Sequence, residues 1–200
     1  MKKFSRRRGV ITTELSSYEV ELLVSLINQL IELVSDGQPE RYVAGTQPEE
    51  TFDELVRELT EQADQPEEPQ DPVLKRLFPS AYPDDPAASA DFRRFTERSL
   101  REKKISEATT VLQRLAETEQ GAHPLRIPPP EAEAWLRTLT SIRLAVATRL
   151  GITDAEAADA LNELPDDDPR AFMVSVYDWL GFAEETILGG KRYARVFVGG

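Results

Sequence analysis

Residues able to do chemistry are few in this sequence and far apart. The 200-residue chain has one histidine and no cysteine. His123 stands beside Pro124 in a segment that reads as a loop. A lone imidazole in a loop is ordinarily a solvated side chain rather than a catalyst. No Gly-x-Ser-x-Gly elbow accompanies it. Without a second histidine or a thiolate, the donor set of a transition-metal site is missing. Without cysteine there is also no disulfide, no thiolate nucleophile and no thiol for an oxidant to modify.

Two acidic clusters, Asp84-Asp85 and Asp166-Asp167-Asp168, place carboxylates side by side, as a Mg²⁺ or Ca²⁺ site would. Adjacent acids before proline are more commonly helix caps and solvated loops, and the spaced ligand loop of an EF-hand is lacking. The chain holds no Walker A loop and no Gly-x-Gly-x-x-Gly phosphate cradle. This inventory points away from an enzyme and implies no cofactor and no metal.

Cations offer more. Arg6, Arg7 and Arg8 near the start, with Lys191 and Arg192 near the end, form a candidate patch for a partner or an anion if the two termini meet. A second basic run lies between Phe92 and Lys104, with Arg93, Arg94, Arg98, Arg101, Lys103 and Lys104. Asp91, Glu97 and Glu102 fall three or four residues from these cations, the spacing of intrahelical ion pairs, so this run reads as a solvated face. The whole chain carries a formal charge of −12 and a pI of about 4.7. Its first fourteen residues hold five cations and one acid, and its last ten hold three cations and no acid. Basic termini therefore flank a strongly acidic middle, and that middle would repel a nucleic-acid backbone or an anionic membrane.

The elements that position these groups are helical. Pro130 to Leu150 is the organising stretch: Trp135, Leu139, Ile142, Val146 and Leu150 recur at three and four residues, and Leu136, Leu144 and Ala147 widen the stripe. Arg143 lies within this apolar span and needs a carboxylate if it is buried. The expected partner is Asp178, or Glu185, on the last helix.

Ser16 to Ser35 is a second strong helix, opened by a Ser16/Glu19 capping box and closed by Asp36-Gly37-Gln38-Pro39. Thr51 to Ala63 is a shorter, acidic helix, and residues 64–71 form an acidic, proline-rich loop. Asp71-Pro72 caps a short helix that Pro79 stops. Ala87 to Glu119 is the longest helix, with Phe92, Phe95, Leu100, Ala108, Val111, Leu112 and Leu115 as its apolar positions and a bend or break expected near residues 103–106. Thr153 to Leu164, with a Thr153/Glu156 capping box, and Pro169 to Leu188, capped by Asp168 and closed by Gly189-Gly190, complete the set. Ser5 to Gly9 reads as the turn of an N-terminal hairpin within residues 2–13. Tyr193 to Val198 is aromatic and β-branched, suited to a tail or to an added edge strand.

The expected fold is thus mainly α: a bundle of about six helices in one domain over residues 1–188, with a small N-terminal β-hairpin that a strand from residues 189–200 could join. The basic start has no apolar h-region, and no apolar run approaches the ~20 residues that span a bilayer. Cytoplasmic residence is the expectation.

Five segments together carry a resemblance: Leu15 to Leu23, Asp71 to Asp85, Phe92 to Lys104, Ala134 to Leu150 and Val176 to Leu180. In this order they resemble an actinobacterial family of unknown function, encoded beside the ClpS protease adaptor, that includes AosR-like oxidative-stress regulators. The resemblance implies a non-enzymatic cytoplasmic regulator acting by protein–protein contact, with an extracytoplasmic-function sigma factor as partner. Direct DNA binding through the basic termini is the first alternative, and an accessory role in the Clp protease system is the second. A chain without cysteine cannot use a thiol switch. The family has no agreed catalytic residues to carry over.

Overall fold

The computed structural model describes residues 5–7, 10–35, 69–165 and 167–196. The expected acidic helix Thr51–Ala63, most of the 64–71 loop, and Arg8 lie outside the described residues. Six helices and a three-stranded sheet make up the described chain, so the mainly α expectation holds.

The strands are β1 (Ser5–Arg7), β2 (Val10–Thr13) and β3 (Leu125–Ile127). The helices are α1 (Ser17–Ser35), α2 (Pro72–Leu77), α3 (Pro86–Ala116), α4 (Ala132–Leu150), α5 (Ala155–Asn162) and α6 (Ala171–Val196). A short 3-10 turn, Pro129–Glu131, leads into α4.

The organising role expected of α4 is observed: it packs against α1, α2, α3 and α6. Trp135, Leu139, Ile142, Val146 and Ala147 are buried on it, as its periodicity predicts. Its C-terminus turns at Gly151, whose φ of +76° places it in the left-handed region that glycine tolerates. Around α4 the core gathers Leu23, Ile27, Leu30 and Val34 from α1, Val111 and Leu115 from α3, and Val176, Leu180, Ala183 and Ile187 from α6. Each set repeats at three or four residues, which is why each helix turns one stripe inward.

Helix α1 starts as expected. Ser16 N–H donates to Glu19 Oε2 at 2.9 Å, and Glu19 N–H donates to Ser16 Oγ at 3.3 Å. Helix α2 begins with the Asp71 side chain accepting from Val73 N–H at 2.7 Å and Pro72 in the first turn. The box expected at Thr153/Glu156 is replaced by a single cap: Asp154 Oδ1 accepts from Ala157 N–H at 2.8 Å. Asp154 has the extended backbone an N-cap needs.

Helix α3 runs unbroken through residues 103–106, where a break was expected. The ion pairs Arg98–Glu102 and Arg101–Glu97 bridge the turns just before that point. It ends at Ala116, before the expected Glu119. Glu119, Gln120 and Gly121 all adopt positive φ, which unwinds the chain. Gly121 is fixed twice over: its φ is +88°, and a Cβ would approach Leu15 O to 2.5 Å.

The sheet departs most from expectation. Ser5–Arg7 is itself a strand, in register with β2 as Ser5↔Thr12, Arg6↔Ile11 and Arg7↔Val10. The third strand is not the C-terminal segment but β3, paired as Ile11↔Ile127 and Thr13↔Leu125. Leu125 and Ile127 are buried on either side of exposed Arg126, so β3 has the alternation of a half-covered strand. The C-terminal segment continues α6 to Val196, through Gly189-Gly190, which were expected to close it.

Candidate functional site

His123 is exposed, and its Nε2 lies 3.5 Å from Glu119 Oε2, one helical turn away in sequence. Asp85 is the N-cap of α3, accepting from Ala88 N–H at 3.0 Å. Asp168 is held by Arg170: its carboxylate accepts from the Arg170 side chain at 3.0 and 2.9 Å and from its N–H at 2.8 Å. These bonds hold the Asp168 carboxyl down at about 2. Asp85 thus serves as a helix cap, while Asp168 is taken up by Arg170 just before α6, which starts at Ala171 and not at the expected Pro169. Among the described residues, no group of three or more His, Cys, Asp or Glu is arranged to hold a metal ion.

One pair has the look of a serine–lysine dyad. Lys104 Nζ donates to Ser141 Oγ at 3.0 Å, and burial holds the ammonium pKa below its usual value. Ser141 is only 4% exposed, so a substrate could not reach its oxygen. Lys104 also lies 5.8 Å from the Phe78 ring centroid, and Arg101 lies 4.8 Å from the same centroid. The pair is therefore a polar contact that ties α3 to α4 beneath Phe78.

Arg143 has a carboxylate partner, but not the expected one. Its NH1 donates to Glu184 Oε2 at 3.2 Å, and Thr140 Oγ1 donates to the other oxygen of Glu184 at 2.5 Å. Asp178 is exposed and forms no ion pair among the described residues. The guanidinium stacks 4.5 Å from the Tyr177 ring centroid and lies against Gly181, where a Cβ would come within 3.2 Å. Glu184 is one helical turn beyond Leu180 on the buried stripe of α6; Asp178 is two residues off that stripe. The candidate pair Arg143–Asp178 is corrected to Arg143–Glu184, and its effect is to fix how α4 meets α6.

The basic termini do not meet by strand addition. Arg6 and Arg7 lie in β1, while Lys191 and Arg192 lie in the last turns of α6. The edge of β2 that a C-terminal strand would have needed is taken by β3.

Two surfaces remain. One is a groove of about 360 Å³ between α1, α2, α4 and α6, lined by Leu30, Leu33, Val73, Val146 and Met173, with Glu32 and Arg149 also on its wall. Arg149 is engaged there, donating to Asp71 Oδ2 at 2.6 Å.

The other surface is the N-terminal half of α3. Phe95 is 70% exposed, Tyr82 50% and Phe92 44%. Tyr82 and Phe92 meet edge-to-face with centroids 6.0 Å apart, and the Arg94 guanidinium sits 4.8 Å from the Phe95 centroid. Buried Ser89 holds this arrangement in place. Its Oγ accepts from Tyr82 N–H at 3.1 Å and donates to Tyr82 O at 2.7 Å, and Ser80 Oγ lies 2.6 Å away. Phe92, Phe95 and Leu100, expected among the apolar positions of this helix, face solvent, because the inward face here is taken by Arg93, Glu97 and Arg101.

The chain is 29% identical over 194 residues to a Mycobacterium tuberculosis protein named oxidative stress regulator AosR, covering 90% of this chain and 83% of that one. It is 30% identical over 181 residues to a Mycobacterium leprae protein named putative oxidative stress regulator AosR, covering 86% and 77%. No solved structure matches. The family model described as Domain of unknown function (DUF2017) matches residues 1–189, and the chain belongs to that family.

Proposed function

We propose that this chain is a non-enzymatic regulator that acts by binding a protein partner. Its relatives carry the name oxidative stress regulator, which supports a regulatory role. The observation that carries the mode of action is the aromatic cluster on α3. The rings of Tyr82, Phe92 and Phe95 face water, Ser89 bonds the backbone of Tyr82, and Arg94 rests on the Phe95 ring. Exposed aromatics beside arginine are the residue types that dominate binding energy at protein interfaces.

An extracytoplasmic-function sigma factor is the first partner to test, on the strength of the family resemblance, and the site of action is the cytoplasm. Among the described residues no helix is long and apolar enough to cross a membrane. Because the chain has no cysteine, a response to oxidants cannot run through a thiol of its own. Affinity purification of the tagged chain from its own cells, followed by mass spectrometry, tests the reading. Recovery of a sigma factor or polymerase subunit supports it. Recovery of Clp components alone favours the adaptor role, and a promoter-fragment gel shift that Arg6, Arg7 and Arg8→Ser abolishes favours direct DNA binding.

A further inference from the structure

Partner-binding regulators are selective because their surfaces fit one chemistry, and the α3 surface has a definite one. Phe92, Phe95, Ser99 and Lys103 fall on the side of α3 opposite buried Arg101, Ala108 and Val111. They span about 16 Å of helix at 1.5 Å per residue, the length of three turns of a facing helix. Ser99, the smallest of the four, sits between the rings and Lys103. It leaves a low point into which a large apolar side chain can settle.

The charge around this stripe is net positive, although exposed Asp91 stands one turn before Phe95. Residues 91–104 hold six cations and three carboxylates, in a chain whose total is −12. Glu97 lies inward, bonded to Arg101, and Glu102 is engaged by Arg98. Exposed Arg94 and Lys103 pair with no carboxylate among the described residues, and Arg94 rests on the Phe95 ring. A local positive field in an acidic protein persists over about one Debye length, 8–10 Å. The Ser89 hydrogen bonds also hold Tyr82 against the helix before any partner arrives, which lowers the ordering cost of binding.

We propose that this face of α3 docks an acidic segment of a partner protein that presents apolar side chains at helical spacing. The proposal rests on the reading of the chain as a partner-binding regulator. The partner's apolar groups would pack on Phe92, Phe95 and Tyr82. Its carboxylates would pair with Arg94 and Lys103, which speeds and orients encounter.

The test uses the full chain and a fluorescein-labelled synthetic peptide with Leu and Trp at i, i+3 and i+4 among Asp and Glu, read by anisotropy at low and high salt. A peptide with Lys in place of each acid and a single-stranded oligonucleotide serve as competing probes. The expected result is saturable binding of the acidic peptide that weakens with salt. Phe92→Ala/Phe95→Ala should weaken it about tenfold or more, and Arg94→Glu/Lys103→Glu by a similar factor. Circular dichroism checks the fold of both variants; if the aromatic variant is misfolded, the charge variant decides by itself. Binding unchanged by either variant, absence of acidic-peptide binding, or equal binding of the basic peptide overturns the proposal. So does tighter binding of the oligonucleotide, or a wild-type dimer that the aromatic variant abolishes. If a partner still co-purifies with the aromatic variant from cells, this docking face is wrong while the regulatory reading stands.

Discussion

The two halves of α3 belong to one continuous helix, yet they do opposite things. From Ala108 to Leu115, the apolar residues Ala108, Val111 and Leu115 face inward and are almost fully buried. From Asp91 to Leu100 the apolar residues face outward, and the inward positions are charged. What joins the halves is Arg101. Its side chain is buried, bonded to Glu97 at 2.6 and 2.8 Å, stacked on Phe78, and donating to Val34 O at 2.5 Å near the C-terminus of α1. The comparison teaches that a long helix can change role along its length without a kink, provided a buried, fully engaged charge marks the crossing point.

The largest effect should come from the buried half. Leu115→Ala deletes a side chain with no exposed surface and should cost about 2–5 kcal/mol, read as a lowered urea midpoint. A loss under about 1 kcal/mol would mean that this half is not core. Next comes the crossing point. Arg101→Met leaves Glu97 and the Val34 carbonyl without their donor and should cost about 3 kcal/mol, whereas replacing Arg101 and Glu97 together should recover much of it. The equilibrium cycle of the two single variants and the double variant checks the coupling.

The N-cap of the outward half comes third. Asp85→Ala should cost about 1 kcal/mol, seen as a small fall in melting temperature. Away from α3, acid should act through the Asp168 carboxylate. Its folded pKa of about 2 lies below its ordinary 3.8, so the unfolded chain takes up the proton first. The contribution is complete above the ordinary value and is lost as pH falls from there toward about 2. Asp168→Asn should remove that part of the acid dependence, measured by chemical denaturation at successive pH values.

The body of the fold was legible because its helices keep one rhythm. In α1, α4 and most of α6, the buried apolar residues recur every three or four positions, although Phe172, Phe182 and Leu188 of α6 face solvent. The third strand was not legible. Leu125-Arg126-Ile127 is three residues long, and only its pairing with Ile11 and Thr13 makes it a strand. The C-terminal segment misled for the opposite reason: its β-branched and aromatic residues favour extended chain, but the backbone continues the helix. The partner of Arg143 was narrowed to the correct helix but placed on Asp178 instead of Glu184, since periodicity names a face and not which acid on it meets the cation. At the candidate surface the residues were visible and their direction was not. Phe92 and Phe95 were grouped with Ala108, Val111 and Leu115 as the apolar positions of one helix, although here the charges between them are what the helix turns inward.

Outward-facing aromatics are the claim on which the functional account depends, and the unfolding free energy of Phe92→Ala/Phe95→Ala tests it most directly. The account predicts a change within about 1 kcal/mol of the wild-type value, the scale of two surface substitutions. A loss of about 3–5 kcal/mol, the scale of a buried phenylalanine, would show that this face is part of the core and is not available to a partner.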